Sequence, residues 1–125
     1  MKVDISPRAY EDLAEIKEYI SVVLQNPNSA KEILQDIMDA IRSLDELPDR
    51  GAPLDTITSI KSDYRFVQSH KYVIFYRVEE YRVFISRVLY RGRNFMKVFF
   101  CGITNSLRLQ GESGKMNIPG ISTEE

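Results

Sequence analysis

At 125 residues, with 43% hydrophobic and 28% charged side chains, the chain can build one hydrophobic core and not two. No apolar run approaches the roughly 20 residues of a membrane span, and the opening MKVDISPRAYEDL lacks a secretory leader's continuous apolar segment, so a cytoplasmic globular protein is expected. The single cysteine, Cys101, excludes an internal disulfide and, with no histidine near it in sequence, reads as a small packing residue.

The net charge of −1 conceals a segregation. Residues 1–60 hold 6 Lys and Arg against 12 Asp and Glu, whereas residues 61–105 hold 9 against 3. An acidic half joined to a basic half points to an anionic partner, nucleic acid or an acidic protein segment. The same segregation also arises when helices and strands merely draw on different residues.

In chain order, Lys2–Ser6 alternates like a short strand, and Ser6-Pro7 starts a helix with a serine cap and proline at its first position. Tyr10, Leu13, Ile16, Ile20 and Val23 form one apolar stripe, with Glu11, Asp12 and Glu15 near the positive end of the helix dipole. Asn26-Pro27 interrupts and restarts the pattern. Ala30, Ile33, Leu34, Ile37, Ile41 and Leu44 then form a second stripe that ends at Leu47-Pro48. The spacing predicts helices near 7–25 and 28–46, packed as an antiparallel hairpin. Asp36 and Asp39 share a helix face, but with no further ligand in register they read as solvated surface. Residues 48–63 form a loop that Ile57 and Ile60 pin to the core.

The stretch YRFVQSHKYVIFYRVEEYRVFISRVLYRGRN, residues 64–94, carries three strand-like runs at about Tyr64–Gln68, Tyr72–Glu79 and Tyr81–Tyr90. Arg65, Arg77, Arg82, Arg87, Arg91 and Arg93 punctuate it, with Lys61, Lys71 and Lys97 nearby. Such a sheet is expected to have one packed face and one working face. Arg77 and Arg82 flank a hairpin turn; Arg87, Arg91 and Arg93 cluster where the last strand ends. Residues 94–100 suit either helical turns or a last strand. The domain is expected to span 1–104, followed by a mobile polar tail over 105–125.

Several segments, in this order, resemble the RelE/ParE toxin superfamily, also known as plasmid stabilisation proteins: ISPRAYEDLAEIKEYI, Asn26-Pro27, SLDELP, Tyr64-Arg65, KYVIFYRV and RVLYRGRN. The resemblance covers about residues 2–100. It implies an α+β fold ordered β-α-α-β-β-β, with a helix hairpin on one face of a twisted antiparallel sheet and a concave, basic opposite face. It implies the toxin of a type II toxin–antitoxin module, silenced by a cognate antitoxin and needing neither metal nor cofactor. Some members cleave ribosome-bound mRNA and others inhibit DNA gyrase without chemistry. The mRNA interferase is the leading expectation; a gyrase inhibitor and a degenerate toxin that only binds antitoxin are the alternatives.

Metal-free RNA cleavage needs a deprotonated 2′-hydroxyl, a stabilised phosphorane and a protonated leaving group. Arg65, Arg87 and Arg93 suit charge stabilisation through forked guanidinium contacts, and Tyr90 suits base stacking or proton transfer. By resemblance, Arg65 falls where RelE has a functional lysine, and Arg93 where it has its late arginine. The chain departs from RelE at about Val67 and Val73, where RelE has basic residues, and at Phe99 or Phe100, where it has a tyrosine. The four candidates converge if their strands are neighbours on the open face. Arg87 instead becomes structural if it turns inward to meet a helix carboxylate. His70, the only histidine, reads as a turn residue rather than a general base.

Overall fold

A computed structural model describes residues 1–56, 62–92 and 95–99. Strand β1 (Lys2–Ile5) leads into helix α1 (Pro7–Glu18), which runs on through a π turn, Tyr19–Val23, and helix α2 (Pro27–Ser43) follows. Then come a two-residue strand β2 (Ala52–Pro53), a short 3₁₀ turn at Leu54–Thr56, and strands β3 (Tyr64–Ser69), β4 (Tyr72–Val78) and β5 (Arg82–Tyr90). A helical turn over 95–99 resolves the ambiguity of that segment.

The helix starts are local. Ser6 Oγ accepts the Ala9 N–H at 2.9 Å, and Asn26 Oδ1 accepts the Ser29 N–H at 3.2 Å, each cap followed by proline. The predicted first stripe is corrected at both ends. Ala9, not Tyr10, faces the core, and Val23 is exposed. The π turn inserts one residue per turn, so Val23 is rotated off the line of Leu13, Ile16 and Ile20.

The sheet order is β1-β5-β4-β3-β2. β3, β4 and β5 form an antiparallel meander, but β1 pairs parallel to β5, with Val3 opposite Val83 and Ile5 opposite Ile85. The sheet is therefore mixed where a wholly antiparallel one was expected. The helix hairpin between β1 and β2 returns the chain to the far side of the meander, and this leaves β1 parallel to its only neighbour.

Both helices lie on one face. Leu13, Ile16, Ile37 and Ile41 pack against Ile74, Tyr76, Val83 and Ile85 in one buried cluster. The opposite face is not the open working surface that the sequence suggested. Val73 and Phe75 project there and are buried with Leu54 and Phe99 in a second cluster; Phe75 stacks on Phe99 at 4.0 Å between ring centroids. Apolar residues on both faces of β4 require cover on both sides. The 3₁₀ turn and the 95–99 turn supply it on the second face.

Candidate functional site

Arg87 takes the structural alternative. Its Nε and Nη2 donate to Asp12 on α1 at 2.8 and 3.0 Å, and Asp12 also accepts the Val88 N–H at 3.0 Å. Both side chains are buried. A register shift between Phe75 and Tyr76 places the arginine: Ser86 is the extra residue of a bulge, and Arg87 is turned toward α1. Asp12 was read as a dipole-favoured anion at the helix start; its second role needed the fold.

Arg65 is tied elsewhere. It stands opposite Tyr76 on β4, while Arg87 stands opposite Phe75, so β4 lies between the two arginines. Arg65 Nη1 donates to the Gly51 carbonyl at 2.7 Å, and Nη2 lies 3.8 Å from Asp49. The buried Tyr76 hydroxyl closes the same loop: it donates to the Pro48 carbonyl at 2.7 Å and accepts the Gly51 N–H at 2.9 Å. Burial raises the Tyr76 phenol pKa above its ordinary value, keeping it neutral. Gly51 is obligatory here, since a Cβ would stand 2.6 Å from the Phe66 carbonyl oxygen and 2.7 Å from the Tyr76 hydroxyl.

Tyr90 sits at the end of β5, half-exposed and edge-on to Tyr72 at 5.8 Å. Burial, then Tyr90 and Tyr19, push the Tyr72 pKa up. These tyrosines border a groove of about 900 Å³ between the α1–π turn and the ends of β4 and β5. Ile16, Ile20 and Val88 lie in its walls, Tyr19, Leu24, Tyr90 and Val98 at its exposed borders, and the Arg87–Asp12 pair in its lining. The structure thus brings Arg87 and Tyr90 to one groove on the helix side and leaves Arg65 elsewhere. Arg93 lies outside the described residues, as do Ile57, Ile60, Cys101 and the segment 105–125. Sequence reasoning missed this groove. Its one signal was the apolar run from Tyr19 to Leu24, too long for a single stripe.

The remaining polar groups are mostly engaged. His70, in a left-handed turn at φ 57°, meets Asp36 at 2.7 Å and clips the β3–β4 turn to α2. Asp39 accepts from Arg42 and Gln35. Arg77 and Arg82 share Glu79 at the β4–β5 turn and flank the Phe84 ring, with Arg82 also reaching Asp4. Lys71, in the groove's lining, and Arg91, which donates to Gln68 Oε1 at 3.2 Å, meet no carboxylate within ion-pair distance among the described residues. No helix among the described residues is long and apolar enough to cross a membrane.

Comparison with known proteins gives the same architecture. A solved chain from the chromosomal ParDE toxin–antitoxin system of P. aeruginosa superposes with a TM-score of 0.63 at 21% identity, over 74% of this chain and 97% of that one. No match is found among curated proteins. The family model for the ParE toxin of the type II toxin–antitoxin system parDE matches residues 3–95, and so covers β1, both helices, all four remaining strands and the start of the 95–99 turn. On that match the chain belongs to the ParE toxin family.

Proposed function

We propose that this ParE-type toxin arrests growth by binding DNA gyrase rather than by cutting mRNA, so that it is an inhibitor without chemistry of its own. One observation carries the choice: the two described arginines on which a metal-free nuclease would depend are already committed, Arg87 to Asp12 and Arg65 to Gly51 and Asp49. Stabilising a phosphorane requires donors aimed at one phosphate and free to meet it. His70, the one histidine, is held by Asp36.

The cognate antitoxin is then the partner that fits the groove. Its apolar side chains would cover Tyr19, Leu24 and Tyr90, and its carboxylates would meet Lys71 and Arg91. Such coupled folding and binding is salt-sensitive only in its ionic part.

Purified protein in a gyrase supercoiling assay, run beside a cell-free translation assay that follows message integrity, tests the reading. Loss of supercoiling with intact message is expected. Cleaved message with unaffected supercoiling would overturn it and return Arg65, Arg87, Tyr90 and Arg93 to the nuclease role.

A further inference from the structure

We propose that Arg87 is also a partner-binding residue: the amino group it does not commit to Asp12 takes an uncharged carbonyl oxygen from the antitoxin segment that fills the groove. This rests on the groove's assignment to the antitoxin, and it adds which atoms of the toxin read that segment and what chemistry they accept.

Asp12 meets Arg87 side-on. Its two carboxylate oxygens take Nε at 2.8 Å and Nη2 at 3.0 Å, which leaves Nη1 at the far corner of the planar guanidinium with both of its N–H groups. Nη1 has no hydrogen-bond partner among the described residues. Arg87 is only 6% exposed, yet it belongs to the groove's lining beside Ile16 and Val88. A donor buried in this way needs an acceptor. Asp12 already takes three hydrogen bonds, so the acceptor has to come with whatever fills the groove.

Local charge decides which acceptor that is. Arg8 Nη1 lies 3.0 Å from Glu11 and 3.7 Å from both Asp12 and Glu15. Two guanidiniums, Arg8 and Arg87, thus stand among three carboxylates, Glu11, Asp12 and Glu15, and the balance is one negative charge. A carboxylate or phosphate seated on Nη1 meets that surplus in partly dry surroundings, where like charges repel more strongly than in water. A neutral carbonyl meets no such opposition. Every residue of a peptide segment carries a main-chain carbonyl, and burial obliges it to find a donor. Lys71, also in the lining, meets no carboxylate among the described residues, so its charge is free for an acidic side chain. The groove therefore sorts two kinds of acceptor, a carbonyl over Arg87 and a carboxylate at Lys71. The antitoxin residue seated over Arg87 is accordingly uncharged.

Side-chain NMR of the full chain tests this, with hexanamide as a neutral acceptor on an apolar tail and hexanoate as its charged counterpart. Hexanamide should shift the Arg87 Nη1 resonance together with the Tyr19 and Leu24 amides. Hexanoate should occupy the Arg87 position about tenfold more weakly. Glu11→Gln/Glu15→Gln, on the exposed side of α1, removes the surplus charge and should abolish that preference. Arg87→Lys keeps a cation for Asp12 without the spare amino group and should weaken hexanamide about fivefold, with a protected Phe75 amide reporting an intact fold. Hexanoate held at Arg87 as tightly as hexanamide would overturn the proposal, as would a groove that takes neither probe or takes hexanamide without moving Nη1. In the complex with cognate antitoxin, the Nη1 protons should exchange with solvent about tenfold more slowly than in the free toxin. A complex that shifts Tyr19 and Leu24 but leaves Nη1 unchanged sinks this inference and keeps the groove as the antitoxin's seat. One that leaves Tyr19 and Leu24 unmoved sinks both.

Discussion

A carboxylate that accepts three hydrogen bonds inside a protein is fixed in place, and Asp12 does so from both ends of the Arg87 fork and from the Val88 amide. Removing one partner of a buried pair leaves the other charged and unsatisfied, at a cost of about 3–5 kcal/mol. Asp12→Ala should lower stability by that amount in urea unfolding. Arg65→Ala loses a bond from a half-exposed guanidinium to a loop carbonyl and should cost only about 1 kcal/mol. Equal losses in the two variants would show that the Arg87 pair is not buried. At the β4–β5 turn, the hydrogen bond from Arg82, and after it that from Arg77, hold the Glu79 pKa below the ordinary carboxylate value. A folded-state pKa below the unfolded one contributes stability above the unfolded pKa and loses it as pH falls through the folded one. Glu79→Gln should therefore lower the urea midpoint at pH 7 and have little effect once the pH is below the carboxylate range. A difference that persists unchanged at pH 2 would contradict this ionic origin.

Among the elements, the α1–α2 connection is where local sequence and observed geometry diverge most. The helical pattern runs through Tyr19–Val23, yet the backbone there is a π turn, and Gln25 follows with φ 53°. A left-handed residue with a Cβ costs roughly 1–2 kcal/mol relative to glycine. Against this, glycine adds freedom to the unfolded chain. Gln25→Gly should accordingly stabilise the protein by about 0.5–1 kcal/mol, visible as a raised thermal midpoint with unchanged circular dichroism; a lowered midpoint would mean that Gln25 is not held in that conformation. The π turn also explains the groove. By rotating Val23 out of the core line it presents Tyr19 and Leu24 at the groove's border, where a regular helix would have continued the buried stripe.

For the whole molecule, the decisive feature is that the sheet has two cores. Phe75 is fully buried on the face away from the helices and stacks on Phe99. Phe75→Ala should cost about 3–5 kcal/mol in urea unfolding, the range for deleting a buried aromatic side chain. A loss below about 1 kcal/mol would restore an open second face, since surface substitutions fall in that range. With both faces packed at this point, the groove on the helix side and the ends of the strands are the surfaces to which the proposed antitoxin contact is assigned.

The sequence by itself determined what depends on near neighbours. The serine and asparagine caps with their prolines, the two amphipathic helices and the three long strands in chain order are set by side-chain periodicity and backbone preference over a few residues, whereas the place of both helices on one face of the sheet was implied by the family resemblance. The ordered segments from ISPRAYEDLAEIKEYI to RVLYRGRN were enough to suggest the superfamily. What only the tertiary structure decided depends on residues far apart in the chain. The parallel pairing of β1 with β5 follows from where the helix hairpin returns the chain. Arg87 reaches a carboxylate 75 residues away because a bulge turns it toward α1. Arg65 spends its charge on a loop carbonyl 14 residues distant. Arginine reads the same in sequence whether it will face a phosphate, a carboxylate or a backbone oxygen; the acceptor that folding brings within reach decides which.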